Sequence, residues 1–468
     1  MINLIVAAAF ALFLAAPLMT LAVAGYSTLS ERPQRWKDID LAALLASDDD
    51  YRKGLLKKVM TDSPAGMMAV RAKSTFEYDI FGYVETDQVI SGDDGWLYYK
   101  PQFFDGTCLD LELIAQGLDL VEALTAVASG AGIRFAFSVS PDKSVAQSEH
   151  LGTRARAASG CKLPTAEAWR RMAAANGSHI IDHLAEFRAT DLPPGTELYL
   201  KTDTHWNEYA QAIAARGWSE RWLGIDPGLP ETSDGQLIAI RTDLGTNMLR
   251  LDRMELTTSF ESFWQGRFQD TVGTGIRNAV ILHDSFYARA RPSLQVLFRD
   301  AEFFDRNHPD EKGLRAAIAA RPHYLLVNSV ERRVFARLRN GEYGWEGALG
   351  LGLLDANEAA GESCVFESVN RASGTTENLI ELPDTLSRLP CLRISMPAAS
   401  GEVWVLLPSS TSPIYRTSFS IVRSNDGREA QDWKLVLPLE YAGTTVLVRT
   451  ELSEDMGVGI KVGQAPNS

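Results

Sequence analysis

Little in this sequence points to a metal or to a nucleic acid. Only four cysteines occur in 468 residues, and no C-x-x-C pair is among them. That removes the usual zinc-thiolate and thioredoxin-type signatures. No long basic run occurs, and the formal net charge is −14 with a pI near 5.1. A nucleic-acid binder carries a basic patch or stripe, so that class is excluded as an expectation. A polyanionic substrate would need a local basic groove to outweigh the acidic field of the whole chain. Internal repeats and low-complexity tracts are also lacking. The first thirty residues carry no charged side chain at all.

That uncharged start is the first positive feature. Met1 to Ala24 is almost wholly apolar, a run of roughly twenty residues, long enough to span a bilayer. It closes on Ala22-Val23-Ala24 before Gly25, a small-x-small pattern that a signal peptidase cuts. Residues 1–30 therefore read as a signal peptide or membrane anchor, with residues 2–24 as the membrane-seeking part. Export fits an even number of cysteines held as two disulfides. The spacing suggests Cys108 with Cys161 and Cys364 with Cys391; three connectivities are open to four cysteines.

Beyond the polar stretch at 31–75, Gly92-Asp93-Asp94-Gly95 sits between two apolar runs and predicts a β-hairpin over 88–99. Helical and strand periods then alternate. Helices are expected at Leu111–Ala128, Ala166–Ala175 and Tyr209–Trp222, and strands at Ile133–Val139, Ile180–Ile181, Glu197–Leu200, Ala279–Leu282 and Tyr324–Val327. Such alternation argues for an α/β domain over 31–345, a parallel sheet flanked by helices. A Gly- and Ala-rich connector follows. From 360 to 468, short β-type runs separated by Pro, Gly, Ser and Asn predict a β-sandwich. Its Trp404, Tyr415 and Trp433 suit stacking on sugar rings, as in a carbohydrate-binding domain, or ordinary core packing.

Two segments carry candidate chemistry. In Lys201-Thr202-Asp203-Thr204-His205-Trp206-Asn207, Asp203 and His205 stand two apart, and side chains at i and i+2 of an extended chain point the same way. A carboxylate there can hold one imidazole nitrogen and leave the other to take a proton. The plainer alternative is a turn in which Asp203 caps and His205 packs. Asn207 can cap the helix that follows. In Ile281-Leu282-His283-Asp284-Ser285-Phe286-Tyr287, a buried strand ends and Ser285 sits where a helix begins. That position exposes an oxygen beside free backbone N–H groups. Its plainer alternative is a helix cap made by Asp284 or Ser285. Neither His283 nor Asp284 has the context of a metal site, so no metal and no cofactor are expected. Both segments lie at carboxyl ends of expected strands, where open α/β sheets place their sites.

Several segments in one order resemble the alginate O-acetyltransferase family of SGNH-hydrolase-like proteins, the AlgJ and AlgX type. They are Ile90–Tyr98, Ser138–Lys143, Leu200–Trp206, Asp243-Leu244-Gly245, Ile281–Phe286 and Asn328–Arg332. The resemblance implies an SGNH-hydrolase-like, flavodoxin-like domain with Asp203, His205 and Ser285 as its triad. The order Asp, His, Ser is permuted relative to ordinary GDSL esterases, and His283 stands where the family has a glycine. It also implies that the loop with Gly245 and Asn247 helps form the oxyanion hole. Arg289 and Arg291, with Arg277, flank Ser285 and are candidates to meet substrate carboxylates.

The function so implied is periplasmic O-acetylation of an exopolysaccharide through an acetyl-enzyme. A membrane partner of the MBOAT type would deliver the acetyl group, because acetyl-CoA stays in the cytoplasm. Two other expectations stand beside it: an exported carbohydrate acetylesterase, and a non-catalytic polysaccharide-binding scaffold subunit.

Overall fold

The computed structural model describes residues 64–334, apart from 104–110, 176–179, 273–277, 307–309 and a few single positions. It also describes short stretches within 349–356 and the strands between 365 and 464. The apolar amino-terminal segment lies outside the described residues, as do Cys108, Cys364, Tyr415 and Arg277. Cys161 is disulfide-bonded. Among the described residues no helix is long and apolar enough to cross a membrane.

The opening hairpin forms as its turn residues require. Strands β1 (Val89–Ser91) and β2 (Leu97–Tyr99) pair antiparallel, with Ile90 opposite Tyr98. Asp94 and Gly95 at the turn both take positive φ, 52° and 78°. Two successive left-handed residues make a turn whose twist matches that of the strands, and Asp-Gly is the pair that tolerates it best.

The centre of the domain is a five-stranded, all-parallel sheet in the order β4-β3-β9-β7-β8. Its strands are β3 (Arg134–Ser140), β4 (Ile180–Asp182), β7 (Ala279–His283), β8 (Ala301–Asp305) and β9 (Tyr324–Val330). All five residues of β7 are buried, as are six of seven in β3 and in β9. Continuous apolar runs such as Ala-Val-Ile-Leu need cover on both faces, which helices supply. These include α1 (Leu111–Gly130), α2 (Lys162–Ala175), α3 (His183–Ala189), α4 (Glu208–Trp218), α5 (Glu261–Val272) and α6 (Ser285–Leu297). The core runs through Ala136, Ile213, Ile281 and Leu326 and includes Trp206 and Phe286. From β3 the chain steps outward to β4, and from β7 it steps outward to β8 in the other direction. The crevice at such a reversal, at the carboxyl ends of the strands, is where open sheets take ligands.

Three local expectations change. Glu197–Leu200 is not a strand of the sheet; Tyr199 makes a single antiparallel bridge to Trp206, with a turn at Lys201-Thr202 between them. The helix expected over Tyr209–Trp222 stops at Trp218 and widens into a π-turn over Ser219–Leu223. A second antiparallel pair, β5 (Gln236–Ile240) with β6 (Glu255–Ser259), has no counterpart among the expected elements. In the carboxyl-terminal region the strands between Val365 and Gln464 pair antiparallel in two sheets, one of five strands and one of three.

Candidate active site

Asp203 and His205 face one another, as the i, i+2 spacing requires. Asp203 Oδ1 lies 2.7 Å from His205 Nδ1 and also accepts the His205 backbone N–H at 2.9 Å. Its second oxygen accepts from the Asp243 backbone N–H at 3.0 Å and from the Arg289 guanidinium at 2.9 Å. Burial alone would raise this carboxyl, which is 0% exposed in the fold. The hydrogen bond and charge of His205, with Arg289 behind them, win and hold it well below the ordinary carboxylate range. The pair is fixed with Nδ1 toward the carboxylate, and Nε2 is left buried with no hydrogen-bond partner among the described residues.

Ser285 arrives from the other side. Asp284 is the cap of α6: its Oδ1 accepts from Phe286 N–H at 2.9 Å, and its Oδ2 accepts from Val330 N–H of β9. The plainer reading of this turn thus applies to Asp284, and it frees Ser285. Ser285 is exposed at the first position of the helix, while its neighbours Asp284, Phe286 and Tyr287 are buried. The Phe286 ring lies 4.9 Å from the His205 ring and 5.4 Å from Trp206, so the residue next to the serine packs on the imidazole itself. Four residues on, and therefore on the same face of the helix, Arg289 reaches Asp203. Both contacts dock this end of α6 onto the Asp203–His205 segment. Tyr287 adds a third anchor, 2.6 Å from the buried His183 Nε2. Ser285 Oγ makes no hydrogen bond among the described residues.

The remaining expected site residues sit elsewhere. Arg289 is engaged by Asp203 at 2.9 Å. Arg291 is six residues from Ser285, on another face of the helix, and its guanidinium lies over Phe303 at 4.7 Å. Gly245 is buried, and its N–H donates to Thr202 O at 3.0 Å, so it has no N–H left for an oxyanion. A Cβ there would lie 2.8 Å from Thr202's neighbour Thr242 Oγ1 and 3.1 Å from Thr202 Cβ, which explains a glycine at this point. Asn247 is exposed, with its N–H given to Thr242 O at 3.2 Å. His283 stays inside, with Nδ1 3.0 Å from Asp284 O, and Asn207 caps α4 through Ala210 N–H at 3.0 Å.

Three residues carry roles that the sequence patterns did not assign. Lys143, buried just past β3, donates from Nζ toward four carbonyls: Leu97 at 2.8 Å, Leu200 at 2.6 Å, Lys201 at 2.8 Å and Asp203 at 3.0 Å. It also lies 4.7 Å from the Trp96 ring centroid and 5.4 Å from that of Tyr98. Burial pushes its pKa down to about 7 against the opposing pull of Glu255, Asp203 and Asp243. Glu255, on β6, accepts from Thr202 N–H at 2.9 Å and from its hydroxyl at 2.8 Å. Asp243 accepts from Thr204 N–H at 2.7 Å and from the Thr204 hydroxyl, and its Oδ2 lies 3.5 Å from His205 Nδ1. Lys143 and Asp243 both lie within segments that carried the family resemblance; the sequence marked the positions without their partners.

The other charged motif residues form a buried scaffold. Asp142 binds Lys162 at 2.6 Å and Arg332, and Glu331 binds Arg170 at 2.8 Å and the Trp169 indole at 2.8 Å. These bonds tie α2 to the ends of β3 and β9. The Asp203, His205 and Asp243 oxygens and nitrogen are committed to one another and to Thr204, a hydrogen-bonded network rather than an open ligand set. His183 is held by Glu186 at 2.7 Å and by Tyr287 at 2.6 Å.

The domain has an SGNH-hydrolase-like fold, a parallel sheet flanked by helices. Residues 89–228 match the family model described as the SGNH hydrolase-like domain of the acetyltransferase AlgX. The match includes Asp203 and His205 and ends before Ser285. No curated protein matches the chain. Among solved structures, Pseudomonas aeruginosa AlgX is similar at 14% identity and a TM-score of 0.40, over 81% of this chain and 94% of that one. The O-acetyltransferase domain of Pseudomonas putida AlgJ is similar at 17% identity and 0.37, over 56% and 98%. Bacillus cereus PatB1 with a sulfonyl adduct is similar at 12% identity and 0.38, over 53% and 97%.

Proposed function

We propose that this protein is a polysaccharide O-acetyltransferase of the periplasm that works through an acetyl-enzyme on Ser285. The observation that carries the reading is the state of His205. Nδ1 is fixed by a buried carboxylate, Nε2 is unpartnered, and the ring packs on the residue next to an exposed serine. That combination suits a general base waiting for a hydroxyl proton.

In the reaction, Ser285 Oγ attacks the acetyl carbonyl as its proton passes to His205 Nε2. The carbonyl oxygen becomes an oxyanion beside the Ser285 N–H, which heads α6 and belongs to the set of helix-start donors that lack an intrahelical acceptor. One such donor is worth about 3 kcal/mol to the transition state. Collapse expels the donor's leaving group, which takes the proton from His205. A sugar hydroxyl then attacks the acetyl-serine with His205 as base, and Ser285 is regenerated. Supply of acetyl groups outside the cytoplasm calls for a membrane donor of the MBOAT type, and the amino-terminal apolar segment would keep the enzyme beside it.

The exposure of Ser285 favours one further reading, an acetylesterase, because water reaches that position as readily as a sugar hydroxyl does. Purified protein incubated with a model acetyl ester is expected to release the leaving group, and Ser285→Ala to lose at least about 10³-fold of that rate. Equal inertness of wild type and variant would overturn the enzyme reading. Mass spectrometry with an added oligosaccharide separates the two outcomes: acetylated sugar marks a transferase, free acetate alone an esterase.

A further inference from the structure

Apart from the exposed Lys201, five charged side chains lie in or against the segment Leu200–His205. Asp203, Asp243 and Glu255 are carboxylates, and Arg289 and Lys143 are cations. With Lys143 kept as an ammonium by its four carbonyl acceptors, against its burial, three negative charges and two positive leave one negative charge uncompensated while the imidazole is neutral. Arg332 lies near Phe286 but is paired with Asp142. Arg289 pairs with Asp203 and Lys143 is spread over four carbonyls, so among the described residues neither Asp243 nor Glu255 has a lysine or arginine bound to it, and of the two it is Asp243 that lies beside His205, at 3.5 Å. Its oxygens receive three donors: the Thr204 N–H, the Thr204 hydroxyl and the Leu244 N–H at 2.7 Å. A carboxylate, which only accepts, is the form that such a set satisfies. Burial and the Asp203 charge press its pKa upward, against His205 and Thr204.

We propose that Asp243 is a second positioning carboxylate for His205, orienting the ring through Thr204 and supplying the charge that balances it when it takes the Ser285 proton. The idea rests on the acyl-transfer reading above. Before proton transfer the cluster carries one unit of negative charge, and afterwards it is neutral. Without Asp243 it would go from neutral to positive in a buried setting, the costlier direction. The geometry is a carboxylate oxygen 3.5 Å from Nδ1, beyond the 2.7 Å of Asp203. Asp243 therefore acts on the ring by its field and through Thr204, whose hydroxyl donates to Asp243 and lies 3.4 Å from His205 Nδ1, and leaves the direct hydrogen bond to Asp203.

The test is Asp243→Asn, which keeps shape and an accepting oxygen and removes the charge. Two readouts are followed. The first is NMR titration of the His205 ring nitrogens, which needs no turnover. Its midpoint is expected to fall by about one pH unit relative to wild type. The second is the pH profile of kcat/KM on a model ester, whose acid limb is expected to move to lower pH while kcat falls about tenfold. A purely structural role would lower kcat and leave both pH readouts in place, and an unmoved midpoint overturns the proposal. A moved midpoint in a protein whose wild type is inert would instead overturn the acyl-transfer reading. Should the variant fail to fold, the Asp243 carboxyl carbon of the wild type answers the question: its resonance is expected to respond as His205 protonates, and indifference overturns the proposal.

Discussion

At the residue scale, the site is a chain of assignments made by burial. Asp203 is buried, yet His205 and Arg289 hold its carboxyl below the ordinary value of 3.8. The sign of the consequence follows. A carboxyl whose folded pKa is depressed contributes stability that is fully present above about pH 5 and drains away as pH falls through 4 toward the folded value. Asp142, lowered by Lys162 and Arg332 against its own burial, acts in the same direction, whereas Asp182, raised by burial, opposes them. Denaturant midpoints between pH 6 and 3 are expected to fall steeply for wild type and less steeply for Asp203→Asn. Parallel slopes would mean that Asp203 is not held ionised by its neighbours. Sequence spacing foretold the Asp203–His205 contact because two residues in an extended segment share a face. It did not foretell Arg289, because i, i+4 on a helix says which residues share a face with Ser285 and not what that face meets. Arg289 was expected at substrate and is found on Asp203.

Elements explain why these residues meet. The turn after β7 gives its capping role to Asp284, and this alone lifts Ser285 into solvent at the head of α6. The segment Leu200–His205 is no sheet strand; it is a loop whose carbonyls converge on one buried ammonium. Lys143 is thus the residue that joins the β1–β2 hairpin to the Asp203–His205 segment, through Leu97 on one side and Leu200, Lys201 and Asp203 on the other. Replacing it by methionine keeps the volume and strands those carbonyls. The expected loss is about 3 kcal/mol or more of unfolding free energy, read by urea denaturation. A loss below about 0.5 kcal/mol would mean that water or a backbone shift replaces the ammonium. The sequence marked the position of Lys143 through the family resemblance but not its partners. A lysine after Ser-Pro-Asp reads as a surface residue until the tertiary fold puts four carbonyls around it. The hairpin was legible, since Asp-Gly specifies its own turn. The β5–β6 pair was not, because its residues are mostly exposed or half-buried and its apolar residues alternate weakly.

At the scale of the whole molecule, the alternation of strand and helix periods was enough to announce the parallel sheet, because buried parallel strands must be nearly all apolar. Strand order was not legible: β9, the last of these five strands along the chain, lies between β3 and β7, and nothing local encodes that. The placement matters for chemistry. β9 supplies the Val330 N–H that fixes Asp284, and the Glu331-Arg332 pair just beyond it ties the strand end to β3 and α2. The permuted order of Asp, His and Ser is a consequence of the same topology: the His segment follows β4, and the Ser segment follows β7 on the other side of the sheet centre. Acidic overall, the molecule has no general attraction for an acidic polymer, so any recognition of one must be local to the crevice.

The central claim is a covalent acetyl group on one serine, and it can be seen directly. Protein quenched in acid within the first turnovers of a model acetyl ester, then digested, is expected to carry an acetyl adduct on the peptide that contains Ser285. The adduct should be absent in Ser285→Ala and long-lived in His205→Ala if any forms there. Acetyl found only on lysines or on another serine, at equal levels in wild type and Ser285→Ala, would contradict the account.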